Sequence, residues 1–126
     1  MKTGEKTILI VEDDKLNQDA LRIFLKNKYK IETCDSEKPF FNIIYSKKID
    51  LIIMDISLNG PKNGLELTEE IKKHPDFKDI PVICLTAHTG NTDEKNAINA
   101  GADVFMTKPV SSSTLLQVVE DYLRET

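Results

Sequence analysis

The sequence predicts an α/β domain in which a parallel five-stranded sheet is covered by helices on both faces. Three observations carry this. Ile8-Leu9-Ile10-Val11 and Leu51-Ile52-Ile53-Met54 are apolar runs without polar alternation, the pattern of strands buried on both sides. Strand-sized runs alternate with segments of helical spacing along the whole chain, the order that βαβ units impose. The connections between them are short and marked by Gly, Pro, Asn and Ser. Helix competes with strand for a run as short as 51–54, but its length and the Gly60-Pro61 break soon after favour a strand.

Length and composition narrow the function classes. A chain of 126 residues makes one domain with a real core. Forty per cent hydrophobic and 30% charged residues fit a soluble globular protein. A formal net charge of −4 argues against direct nucleic-acid binding, which wants a basic face. No apolar stretch reaches membrane-spanning length and the N-terminus lacks a signal-peptide pattern, so the expected location is the cytoplasm, away from the membrane.

Residues 1–6 read as a polar tail, and the first strand follows at 8–11. Leu16, Ala20, Leu21, Phe24 and Leu25 recur at helical spacing and predict a helix from Leu16 to about Tyr29. A short strand is expected over Lys30–Cys34. Ser36 is placed to cap a second helix, with Pro39 in its first turn and Phe40, Phe41, Ile43, Ile44 and Tyr45 on its apolar side. The third strand ends at Asp55. A third helix runs from about Leu65 to Lys73 and stops before His74-Pro75. Pro81–Thr86 is the fourth strand, its proline tolerated at the first position. Asn91 or Thr92 caps a polar helix to about Ala100, which Gly101 terminates. Val104–Thr107 is the fifth strand, and Ser111 caps a last helix carrying Leu115, Leu116, Val119, Tyr122 and Leu123. Cys34 and Cys84 form no metal or redox motif and fall on strands, as reduced core residues do.

The chemistry gathers where strands end. Strand one runs into Glu12-Asp13, strand three into Asp55, strand four into Thr86 and strand five into Lys108. In a parallel sheet these ends share one edge, where α/β folds bind their ligands. Carboxylates brought close together repel and lose solvation, and need a cation. Hard oxygen donors suit Mg²⁺, which keeps several waters and bridges to phosphoryl oxygens. A hydroxyl and an ammonium complete the set for a phosphoryl group, and a carboxylate can be the nucleophile that accepts it. Each piece alone has an ordinary explanation, for example acids at a solvated helix N-terminus. The conjunction of four, in order, is what points to phosphoryl chemistry.

Val11-Glu12-Asp13-Asp14, Met54-Asp55-Ile56-Ser57, Leu85-Thr86-Ala87 and Thr107-Lys108-Pro109-Val110 together resemble the motifs of response-regulator receiver domains of two-component signalling, in the superfamily of the chemotaxis response regulator. The resemblance spans residues 7–124. It implies a flavodoxin-like (βα)5 three-layer sandwich with strand order 2-1-3-4-5, which puts Cys34 and Cys84 on strands about 14 Å apart, too far for a disulfide. It implies Asp55 as phosphoacceptor, Asp13 as a direct Mg²⁺ ligand, Glu12 as a ligand through water, and the Ser57 backbone carbonyl as a further ligand. It implies that Thr86 contacts the phosphoryl group, that Lys108 pairs with it, and that Phe105 stands at the aromatic switch position. The Lys108-Pro109 bond is expected to be cis. Ser57 and His88 occupy the positions that flank the attacking water and tune the phosphorylated lifetime. The partners implied are a sensor histidine kinase or histidine phosphotransfer protein and an unknown downstream protein, the latter meeting a face built from the fourth helix, fifth strand and fifth helix. Such a module is a signalling receiver that catalyses only its own phosphorylation and slow autodephosphorylation.

Two departures from the pattern stand out. The stretch Leu58-Asn59-Gly60-Pro61-Lys62-Asn63-Gly64 reaches its last glycine one residue later than is usual, and the switch residue is Phe where Tyr is common. The alternative of another class is a phosphatase like the haloacid dehalogenases. Those need a second Asp two residues after the nucleophile, where this chain has Ser57, and usually a cap domain for which there is no room.

Overall fold

The two unbroken apolar runs become neighbouring strands at the centre of the molecule. In the computed structural model, which describes residues 5–56, 63–87 and 91–124, the strands are β1 (Thr7–Val11), β2 (Lys30–Cys34), β3 (Leu51–Asp55), β4 (Val82–Thr86) and β5 (Val104–Thr107). They alternate with α1 (Lys15–Leu25), α2 (Glu37–Ser46), α3 (Gly64–Lys73), α4 (Asn91–Asn99) and α5 (Ser112–Leu123). All pairings are parallel and the strand order is β2-β1-β3-β4-β5, the flavodoxin-like order implied by the motifs. Among the described residues, no helix is long and apolar enough to cross a membrane.

Strand geometry sends successive side chains to opposite faces, and two cores result. Leu9, Val11, Ile52, Met54, Val82 and Cys84 point to one face, where Phe40 and Ile44 of α2, Leu67 and Ile71 of α3 and Ala97 of α4 cover them. Ile8, Ile10, Leu51, Ile53, Ile83 and Leu85 point to the other, covered by Leu21 and Leu25 of α1 and Leu115 and Val119 of α5. Every residue of β3 is buried, which is why that strand carries no polar residue before its terminal Asp55. Cys34 and Cys84 are free and buried, on strands separated by β1 and β3. Burial pushes their thiols up to about 12 and about 11, so both stay protonated and inert.

Register then aligns the strand ends. Val11 pairs with Cys34 and Met54, Asp55 with Leu85, and Thr86 with Thr107. The residues that follow or close these strands therefore lie along one edge of the sheet.

The structure corrects five local expectations. Helix α1 ends at Leu25, four residues before Tyr29, because the amides of Lys28 and Tyr29 both turn back to the Leu25 carbonyl. Its buried stripe is Gln18, Leu21 and Leu25, while Leu16 is 80% exposed. Two residues along a helix amount to about 200°, so Leu16 faces away from Gln18. Tyr45, expected on the apolar side of α2, is mostly exposed at the rim, its ring against Phe41 and Phe77. Ser36 stands at the N-cap of α2, but its side chain accepts no capping hydrogen bond; its hydroxyl donates to Asp35 Oδ1. Asn91 and Thr92, the two candidates for the cap of α4, are instead its first two residues. Gly101 does end that segment, at φ 105°, a conformation that side chains with a Cβ avoid.

The revised face of α1 is testable by urea denaturation. Leu21→Ala should cost about 2–5 kcal/mol, whereas Leu16→Ala should change stability by no more than about 0.5 kcal/mol. Comparable losses at the two positions would contradict the assignment.

Candidate functional site

The site begins where β1 stops. Glu12 is the next residue, and its backbone N–H still donates to the Cys34 carbonyl, extending the ladder by one bond. The buried amide of Gln18 donates from Nε2 to the carbonyls of Glu12 (3.0 Å) and Cys34 (3.3 Å), which pins the turn into α1 against the end of β2. Asp14 is the N-cap, accepting from the amides of Leu16 and Asn17. Of the three consecutive acids, that one is committed to starting the helix.

Asp55 closes β3 and is 4% exposed. Helix α3 starts against it, with Gly64 so close that a Cβ there would lie 2.2 Å from the Asp55 carbonyl oxygen and 2.7 Å from the Ile56 Cα. Only glycine fits this approach. Asn63 stands before it as the N-cap, its side chain and Glu66 forming a capping box, while residues 57–62 of the longer stretch lie outside the described residues. Lys108 follows β5. Its backbone N–H donates to the Thr86 carbonyl at 2.7 Å, and the Lys108-Pro109 bond is cis as expected.

These turns bring the side chains together. Glu12, Asp13 and Asp55 each present a carboxylate oxygen, and the three oxygens lie within 4.8 Å of one another. Lys108 Nζ donates to Glu12 Oε1 at 2.7 Å and lies 3.6 Å from Asp55 Oδ2. Three carboxylates and the Lys108 ammonium thus share this edge of the sheet. Glu12 is 1% exposed, and its burial drives the carboxyl up to about 7; the Lys108 hydrogen bond opposes the rise and Asp55 adds to it. Burial by itself would lower the Lys108 ammonium, but its hydrogen bond to Glu12 and the Asp55 and Glu12 charges outweigh that, and the net shift is upward. A cluster of hard carboxylate oxygens fits Mg²⁺ well and a soft or monovalent ion poorly.

The family model for the response regulator receiver domain matches residues 8–120. The chain belongs to the response regulator receiver domain family. It is 31% identical over 119 residues to the polar-differentiation response regulator DivK of Brucella ovis, an alignment covering 94% of this chain and 96% of that one. It is similar to a two-component response regulator from Clostridium difficile, at 29% identity and TM-score 0.87, covering 96% of this chain and 98% of that one. It is also similar to the BeF3-activated receiver domain of DrrB, at 25% identity and TM-score 0.87, covering 96% and 99%. A receiver of this family is a signalling module of two-component systems, working with histidine kinases and downstream effectors.

Of the residues singled out in this receiver's sequence, Glu12, Asp13, Asp55 and Lys108 meet in one cluster. Thr86 is fully buried at the end of β4, and its hydroxyl donates to Asp93 Oδ2 of α4 at 3.3 Å. Phe105 is half-buried on β5, paired in register with Cys84 and packed on the α2/α3/α4 side of the sheet. Ser57 and His88 lie outside the described residues. Sequence reasoning passed over Gln18, Gly64 and Asp93. A glutamine at helical spacing with Leu21 and Leu25 was a visible sign of a buried amide. Nothing in the polar helix around Asp93 distinguished it.

The elevated Glu12 carboxyl has a measurable consequence in metal-free buffer. The folded receiver holds this proton up to about pH 7, whereas the unfolded chain releases it near the ordinary glutamate range. The fold therefore binds the extra proton between those limits, and stability falls as pH rises through them. Relative to Glu12→Gln, which stays neutral, the wild type should lose on the order of 1–3 kcal/mol between pH 5 and pH 8. Urea denaturation of both proteins across that range checks this. A pH-independent difference would contradict it.

Proposed function

We propose that this receiver accepts a phosphoryl group on Asp55 from a sensor histidine kinase or histidine phosphotransfer protein in a Mg²⁺-dependent phosphorelay. It then alters the face built from α4, β5 and α5 for a downstream protein. The observation that carries this reading is the meeting of Glu12, Asp13, Asp55 and Lys108 at one sheet edge, with three carboxylate oxygens within 4.8 Å of one another. That arrangement is costly in an isolated fold and suited to a bound dication and a phosphoryl group.

In this reading Asp55 is the nucleophile. A carboxylate oxygen attacks phosphorus, an O–P bond forms as the P–N bond to the donor's imidazole breaks, and the leaving nitrogen keeps the electron pair. Asp13, Asp55 and the Ser57 carbonyl would hold Mg²⁺ directly, with Glu12 holding it through water. The bound ion would neutralise charge on the transferring group. Lys108, already 3.6 Å from Asp55 Oδ2, pairs with the phosphoryl oxygens. Thr86 turns its hydroxyl to the same group, and Phe105 moves into the space that Thr86 leaves. This is a population shift between two states. Water later returns the acyl phosphate to carboxylate, along a path flanked by Ser57 and His88, so the protein promotes only its own modification and slow reversal. Residues 7–124 act as one cytoplasmic receiver unit and residues 1–6 as a tail.

With Mg²⁺ and acetyl phosphate, the wild type should gain one phosphoryl group per chain, labile to hydroxylamine, by intact-mass measurement. Asp55→Asn should gain none. Label that persists in this variant, or that resists hydroxylamine as a phosphoserine ester does, would overturn the assignment.

A further inference from the structure

The Thr86 hydroxyl has one proton to donate, and in this structure it donates it to the Asp93 carboxylate in the first turn of α4. The reading above, on which this inference rests, requires the same hydroxyl to donate to a phosphoryl oxygen. One proton cannot serve two anionic acceptors at once. We propose that Asp93 is a positioning residue that holds Thr86 in the unphosphorylated arrangement and competes with the phosphoryl group for its hydroxyl.

Three features support the exchange. The Thr86–Asp93 distance of 3.3 Å is long for a hydroxyl donating to a carboxylate, so the bond is weak and can be surrendered. Thr86 is fully buried, so its hydroxyl must find a partner inside the protein in either state. Asp93 lies at the N-terminal turn of α4, where a negative charge is favourable whether or not Thr86 is bound to it. Losing the hydroxyl therefore does not strand the carboxylate. It removes one tie between the first turn of α4 and the end of β4, which couples the chemistry at Asp55 to the helix expected to meet the downstream protein.

Beryllofluoride, a mimic of the phosphoryl group, provides the probe, with binding followed by calorimetry in Mg²⁺. Asp93→Ala should tighten beryllofluoride binding by about three- to tenfold, the worth of one weak hydrogen bond. Asp93→Asn, which keeps a neutral acceptor of the same shape, should give a smaller gain. Mg²⁺ affinity should be unchanged in both. In a Thr86→Val background, where no hydroxyl remains to compete for, Asp93→Ala should have no effect, whereas a general loosening of α4 would appear in both backgrounds. Equal effects with and without the hydroxyl, or no tightening in Asp93→Ala, would overturn the competition and leave the phosphoacceptor reading intact. Failure of the wild type to bind beryllofluoride at all would overturn both.

Discussion

Three carboxylates gathered at the edge of a buried sheet are the constraint on which the rest of this structure depends. Glu12, Asp13 and Asp55 are held together by elements that have their own reasons to be where they are, and Lys108 reaches two of them, Glu12 and Asp55. The apolar packing of β1 and β3 holds the acids in place. Gln18 clamps the turn after β1, and Gly64 lets α3 start against the Asp55 carbonyl. A fold that spends core packing on keeping like charges together has given up stability at that edge, as functional sites commonly do. The elevated Glu12 carboxyl is the same conflict seen in a proton.

The sheet makes that conflict useful. Parallel order with flush register puts four strand ends side by side, although their residues are separated by up to 96 positions in sequence. Each strand end feeds a turn into a helix, so a change at the edge can reach a surface. In the proposed reading one such route runs from Asp55 through Thr86 to α4, where the Thr86 hydroxyl donates to Asp93 at 3.3 Å.

Much of this was legible in the sequence, for identifiable reasons. Unbroken apolar runs signalled buried strands, and an acid at the end of each of two such runs signalled the site. Those signals come from requirements that no alternative residue meets. What sequence reading missed depends on side-chain direction instead. The face of α1 was read one step out because Leu16 is apolar but exposed, while Gln18 is polar and buried. The hydroxyl of Ser36 donates to Asp35, and its side chain makes no capping bond to α2. The role of Gly64 needed the distance to the Asp55 carbonyl, and that of Asp93 needed the path of α4 relative to β4. None of these distances is encoded in local spacing.

The account stands on charge balance, so a Mg²⁺ titration of the wild type and of Lys108→Ala by calorimetry is its most direct test. The wild type should bind one Mg²⁺ saturably. The variant should bind it at least as tightly, because removing the ammonium deepens the negative charge that the dication neutralises. Absence of saturable binding by the wild type, or clearly weaker binding by the variant, would contradict the claim that the carboxylate cluster is built to hold a dication.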